Sequence, residues 1–405
     1  MNKQNHNMIL VGILSTLLIC TGFLSCTKSG PVPGPHPKTT AHTAYKKHLR
    51  TRAYWPTASW KTAKPETVGM SAAGLQKLEK YAFARTGNDK DRKGIRTDGL
   101  VIIKNGMLVY EKYARGYTQK MPHLSWSVSK SFTNALFGIA IRKGLFKLDD
   151  PAHKYYPLLN KPHHSKITLK QLLQMASGLF WNEGYEASPL HSSVLKMLYT
   201  AGRGNMAKFA AQQPVQYTPG THWYYSSGTT NLLMGILQRT VTPKKYEGFI
   251  WRELFDRIGM QNVTWEQDNS KNFVGSSYLH ASPRQLAKFG FLYLNDGIWE
   301  GKRVLPEGWV KFSMTASPAN PKGTYGAQWW LNAGRPKEGI KPRWPDAPAE
   351  TFCASGHWGQ YILVVPSKDL VIVRTGDDRD GSFKRNTLLK LTLASIKTTK
   401  KAGGK

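Results

Sequence analysis

The sequence predicts an α+β domain, with one sheet built from both ends of the chain beside an inserted helical region. Three observations predict it. Near the start, Asn105-Gly106 separates two β-rich runs, 99–104 and 107–113, the strongest short signal for a hairpin. Near the end, the runs 361–365 and 370–374 flank a Pro366-Ser-Lys-Asp turn. Between Asp149 and about Asn262 the signals are mostly helical.

The remaining elements follow in order. Ser71 reads as an N-cap, with Leu75, Leu78 and Tyr81 at helical spacing behind it. Phe132, Leu136, Ile139 and Ile141 make a buried helix of the segment between Lys130 and Gly144. Helices are expected over 169–175, 194–199 and 231–237, and a last one from about 382 to 396.

Before the domain, the chain reads as an export segment and a spacer. Lys3 precedes an apolar run, 8–20, too short and too close to the terminus for a lasting membrane span. The sequence Phe23-Leu24-Ser25-Cys26 resembles a bacterial lipobox, which makes 1–25 a signal peptide and Cys26 a lipidated N-terminus. An ordinary signal peptide cut nearby is the alternative. Residues 26–65 are Pro-rich and basic, and 30–65 contain no acidic residue, so a semi-stiff tether is expected there. The domain then spans 66–399 and a basic tail 400–405. These features imply an exported, periplasmic protein, lipid-anchored to the outer membrane.

With 57 Lys and Arg against 25 Asp and Glu, the net charge is +32. The cations are spread along the whole chain and no nucleic-acid motif accompanies them, so non-specific attraction to anionic surfaces is expected, and no specific nucleic-acid partner. The three cysteines, Cys20, Cys26 and Cys353, allow neither a disulfide framework nor a cysteine zinc cluster. No metal or other cofactor is called for.

Three short motifs carry chemistry. In Ser127-Val-Ser-Lys130 a serine at a helix start has a lysine on the same face, at the positive end of the helix. Serine needs an adjacent base, and lysine serves only if burial or nearby positive charge lowers its pKa. Two further Ser-x-x-Lys matches start at Ser25 and Ser193, the latter on an expected solvated helix face. The second motif, Pro219-Gly-Thr-His-Trp-Tyr-Tyr225-Ser-Ser-Gly, presents a tyrosine able to act as base or proton shuttle. The third, His357-Trp358-Gly359, opens a strand at Gln360, where a glycine permits close approach to a substrate.

In this order the motifs resemble the penicillin-recognising serine hydrolases, within them the branch of class C β-lactamases, family VIII esterases and 6-aminohexanoate-dimer hydrolases. The resemblance runs from about 55 to 399. It includes Trp126-Ser-Val-Ser-Lys-Ser-Phe-Thr, Ile167-Thr-Leu-Lys-Gln-Leu-Leu-Gln-Met-Ala-Ser-Gly and Gly356-His-Trp-Gly-Gln-Tyr. It implies a β-lactamase/transpeptidase-like antiparallel sheet flanked by helices. It also implies Ser127 as acylated nucleophile, with Lys130 and Tyr225 sharing the roles of base and proton relay. His357 takes the place of the third-motif cation, and the backbone N–H groups of Ser127 and Gln360 form an oxyanion hole. Ser227, Trp358 and Gly359 are expected to contact substrate. Tyr185, after Ser177-Gly178, is expected as the counterpart of a tyrosine that assists amide cleavage.

Two departures point to small acyl esters or amides as substrates. Ser227 stands where many β-lactamases have Asn, and His357 stands where they have Lys and is charged only part of the time near neutrality. The alternatives are a β-lactamase or peptidoglycan D,D-peptidase, and a non-catalytic penicillin- or wall-binding protein.

Overall fold

In the computed structural model, which describes residues 49–185 and 191–397, the two predicted strand pairs join in one sheet. Its strands are β1 (Thr97–Lys104), β2 (Met107–Tyr113), β3 (Trp330–Leu331), β4 (Phe352–Gly356), β5 (Gln360–Val365) and β6 (Leu370–Gly376). They run antiparallel in the order β2-β1-β6-β5-β4-β3. The seam that unites the chain's ends is β1 against β6, in register from Gly99↔Thr375 to Lys104↔Leu370.

The helices that matter here are α1 (Ala72–Ala82), α2 (Ser129–Arg142), α3 (Leu169–Leu173), α4 (Ser193–Tyr199), α5 (Met206–Ala211), α6 (Ser227–Val241), α7 (Pro283–Leu294) and α8 (Arg385–Ala394). Both faces of the sheet are covered, which is why β1 is buried along its whole length. On one face Val101, Ile103, Ile362, Val364, Val371 and Val373 pack with α7 and α2. On the other, Leu100, Ile102, Leu363, Leu370 and Ile372 pack with α1 and α8. Each fully buried side chain of this size contributes about 1.5–3 kcal/mol. Helices α3 to α6 fall between Asp149 and Asn262 and form the expected inserted region.

Local signals explain the helix starts. Ser71 accepts a hydrogen bond from Gly74 N at 3.2 Å and caps α1. Thr168 and Gln171 form a capping box at α3. Helix α6 begins four residues before the expected Asn231, because Ser226 caps it by accepting from Thr229 N at 3.0 Å.

The expected tether 26–65 needs correction over its described part. Arg52 forms a bidentate pair with Asp369 at 2.7 and 2.6 Å, and Trp55 and Trp60 meet Phe291 edge-on. Trp60 is 7% exposed, and Thr62 bridges to Leu108. Residues 52–65 thus belong to the domain, since one buried indole and one half-buried one outweigh the polar composition around them. The expected signal segment, Cys26 and the tail 400–405 lie outside the described residues.

Candidate active site

Ser127 lies in the one-turn 3-10 helix Trp126–Val128 that runs directly into α2. Trp126, just before it, sits in the left-handed region at φ +49°, a conformation that costs a non-glycine residue about 1–2 kcal/mol. Tertiary bonds hold it there. Ser129 Oγ donates to Trp126 O at 2.7 Å and accepts from Leu279 N at 3.2 Å, while Ser125 N donates to Leu279 O at 2.9 Å. The turn leaves Ser127 partly exposed and places Lys130 inside, at 1% exposure.

The Lys130 ammonium nitrogen has three oxygens around it: Ser127 Oγ at 2.9 Å, Ser227 Oγ at 2.9 Å and Ser276 O at 3.0 Å. Asn231 on α6 fixes Ser276 from both sides, accepting from its N–H and donating to its hydroxyl, each at 3.1 Å. Burial lowers the Lys130 pKa from 10.5 to about 8, against the opposing charge of Glu183. An amine this close to neutrality at 2.9 Å from a hydroxyl is able to take its proton.

Tyr225 presents its ring to Lys130 Nζ, 4.8 Å from the centroid, and stacks on Trp330. Burial, and then the Glu183 charge, push its phenol well above the ordinary range, with a hydrogen bond from Ser127 pulling the other way. The same surroundings therefore favour neutral Lys130 and protonated Tyr225. His357 forms a turn between β4 and β5, with Tyr185 stacked on it at 5.0 Å and Trp126 edge-on at 5.8 Å. Among the described residues no three His, Cys, Asp or Glu side chains converge to hold a metal ion.

Residues 78–393 match the family described as Beta-lactamase. The chain belongs to the beta-lactamase family. A 6-aminohexanoate-dimer hydrolase from Paenarthrobacter ureafaciens is 24% identical to it over 298 residues, spanning 69% of this chain and 72% of that one. A Bacillus anthracis structure assigned as a 6-aminohexanoate-dimer hydrolase superposes with a TM-score of 0.65 at 24% identity, over 84% of this chain and 87% of the other. A family VIII carboxylesterase superposes with a TM-score of 0.59 at 15% identity, over 81% of this chain and 99% of the other. The fold is the family's β-lactamase/transpeptidase-like architecture, and the likeness is to the branch the motifs resemble.

Within this family framework the structure brings Ser127, Lys130, Tyr225, Ser227, His357 and Tyr185 together, with corrections of role. Ser227, expected to touch substrate, is fully buried and lies beneath Lys130. Gly359 also faces inward. It adopts φ +93°, and a Cβ there would come within 2.0 Å of the Arg374 guanidinium, so the glycine makes room for the buried Arg374–Asp378 pair, not for a ligand. Gln360 is 1% exposed, and its side chain bridges to Gly376 N and O, which locks the backbone of the turn. Trp358 packs against Trp126 at 5.2 Å, under Arg379. The accidental match at Ser193 stays apart: Ser193 accepts from Asn182 N, and Lys196 is exposed.

Glu183 is the residue that sequence reasoning missed. Its Oε1 accepts from Ser227 Oγ at 2.5 Å, and its Oε2 accepts from Ser227 N at 2.9 Å and from the Trp181 indole. One signal was available. Between Asp150 and Glu247 the basic helical region contains two acidic residues, Glu183 and Glu186, and Glu183 lies two positions before the singled-out Tyr185.

Proposed function

We propose that this hydrolase cleaves small acyl esters or amides through an acyl-enzyme on Ser127. The observation that carries the reading is the Lys130 nitrogen, lowered to about 8 and 2.9 Å from Ser127 Oγ. In acylation, Lys130 takes the Ser127 proton as Oγ bonds to the substrate's carbonyl carbon. The N–H groups of Ser127 and Gln360 stabilise the oxyanion, each donor contributing about 2.7–4 kcal/mol. Tyr225, held protonated, passes a proton to the departing alcohol or amine and is reprotonated from Lys130. Water then repeats the sequence on the ester of Ser127 and releases the acid. Lys130 is the base in this scheme and Tyr225 the relay, because burial disfavours the charged form of each.

Preference for esters and small amides over β-lactams rests on His357, which replaces a permanent cation at the position expected to hold a β-lactam carboxylate. The test is kcat/KM for p-nitrophenyl butyrate and for nitrocefin, with labelling by a fluorophosphonate. Wild type is expected to label at Ser127 and to favour the ester by orders of magnitude, while a folded Ser127→Ala protein does neither. Ester turnover surviving in Ser127→Ala overturns the nucleophile. Nitrocefin turnover equal to the ester's moves the enzyme to the β-lactamases.

A further inference from the structure

We propose that Glu183, acting through Ser227, is the positioning residue that aims the lone pair of neutral Lys130 at the Ser127 hydroxyl. The inference rests on reading Ser127 and Lys130 as nucleophile and base, and it follows from counting donors.

A charged Lys130 has three N–H groups for its three oxygens, and all are satisfied. The neutral amine has two N–H groups and one lone pair, so one oxygen must instead offer a proton. Ser276 O is a carbonyl and accepts only, which takes one N–H. Ser227 could do either, but its hydroxyl proton is committed to Glu183 Oε1 at 2.5 Å, and a carboxylate only accepts. Ser227 therefore turns a lone pair to Lys130 and takes the second N–H. What remains for the amine's lone pair is Ser127, whose proton has to leave.

Glu183 cannot easily swing away from this duty. Its second oxygen accepts from Ser227 N at 2.9 Å and from the Trp181 indole, so both hydrogen bonds to Ser227 come from one rigid fork. After proton transfer the new ammonium again has three N–H groups for three acceptors, and the carboxylate's charge favours it. Among the described residues, the other titratable groups facing this cluster are Tyr225 across its ring, Tyr185, whose buried hydroxyl lies near Ser227 and Ser277, and His357 stacked on Tyr185. Of the described residues, Glu183 is the one whose charge acts on Lys130.

The experiment compares wild type, Glu183→Gln, Ser227→Ala and the double variant, by kcat and KM for p-nitrophenyl butyrate across pH, fluorophosphonate labelling of Ser127, and thermal melts. In Glu183→Gln the amide oxygen keeps Ser227 N and Trp181, and its NH2 faces Ser227 Oγ. The serine proton then turns to Lys130 and diverts its lone pair. We expect kcat to fall roughly 100-fold with KM little changed, within the range of general-base effects. The low-pH limb should move to lower pH, because Lys130 has lost the anion that favours its charged form. Ser227→Ala should lose about tenfold, a smaller part of that range. In the double variant no hydroxyl remains to divert the lone pair, so its activity should match Ser227→Ala and exceed Glu183→Gln.

Wild-type kcat with an unmoved limb in Glu183→Gln overturns the proposal, as do losses that multiply in the double variant. If Glu183→Gln fails to fold, Ser227→Ala reads the relay alone, and wild-type kcat there overturns it. A wild type that neither hydrolyses the ester nor labels at Ser127 removes the nucleophile reading beneath the relay. A wild type that does both, matched by Glu183→Gln, removes the relay only.

Discussion

Lys130 and Lys288 are both buried, at 1% and 2% exposure, and burial lowers both from 10.5 to about 8. Their surroundings differ in what the nitrogen faces. Lys288, on α7, donates to the backbone carbonyls of Thr57 and Gly259. Neither oxygen carries a proton, so a neutral Lys288 has nothing there to deprotonate. Its position instead fastens residue 57 to the domain, beside the packed indoles of Trp55 and Trp299. Lys130 faces two hydroxyls and one carbonyl, and a nearby carboxylate decides which hydroxyl keeps its proton. A perturbed pKa thus reports desolvation, while function depends on the donor and acceptor pattern around the shifted group.

The sharpest way to break the comparison is to remove each amine. Lys130→Ala should lower kcat/KM by about 10³-fold or more, within the span of general-base catalysis, while Lys288→Met should leave it within about twofold. Comparable losses in the two variants would mean that burial alone marks the catalytic amine. In wild type, kcat/KM should rise with pH through about 8, as Lys130 sheds its proton and becomes a base.

A smaller effect is expected behind the site. Gly359→Ala forces a side chain into φ +93° and against Arg374, so it should disturb the buried Arg374–Asp378 pair. Damage to such a pair costs about 3–5 kcal/mol, enough to lower Tm by several degrees. Because the same turn carries Gln360, kcat should fall with it. An unchanged Tm would show that the turn accommodates a side chain.

The smallest effect concerns Lys288 and stability. Its native pKa lies below the unfolded value, so between about 8 and 10.5 the unfolded chain binds more protons than the folded one. Stability contributed by this group therefore rises as pH increases through that window, and below it the burial penalty is complete. Lys288→Met should lack this increment. Denaturant unfolding of both proteins at the two ends of the window measures it, and equal slopes would place the Lys288 shift in doubt.

Sequence by itself determined the elements whose signals are local. Asn105-Gly106 sets the β1–β2 hairpin, Ser71 caps α1, and the apolar spacing from Phe132 to Ile141 buries α2, because each acts through neighbours a turn or less away. The Ser127–Lys130 pair was legible for the same reason, since three residues of helix bring the two side chains together. Motif order and family resemblance also named Tyr225, Ser227, His357 and Tyr185, but tertiary structure alone decided what these groups touch and brought Glu183 among them. Ser227 lies 97 residues from Lys130, and Glu183 lies 44 from Ser227 on a loop without periodicity. Trp60 shows the same limit, a residue in a polar, basic stretch that becomes core by finding Phe291. Such contacts depend on which faces the helices and the sheet bury against one another, and no short-range pattern encodes that choice.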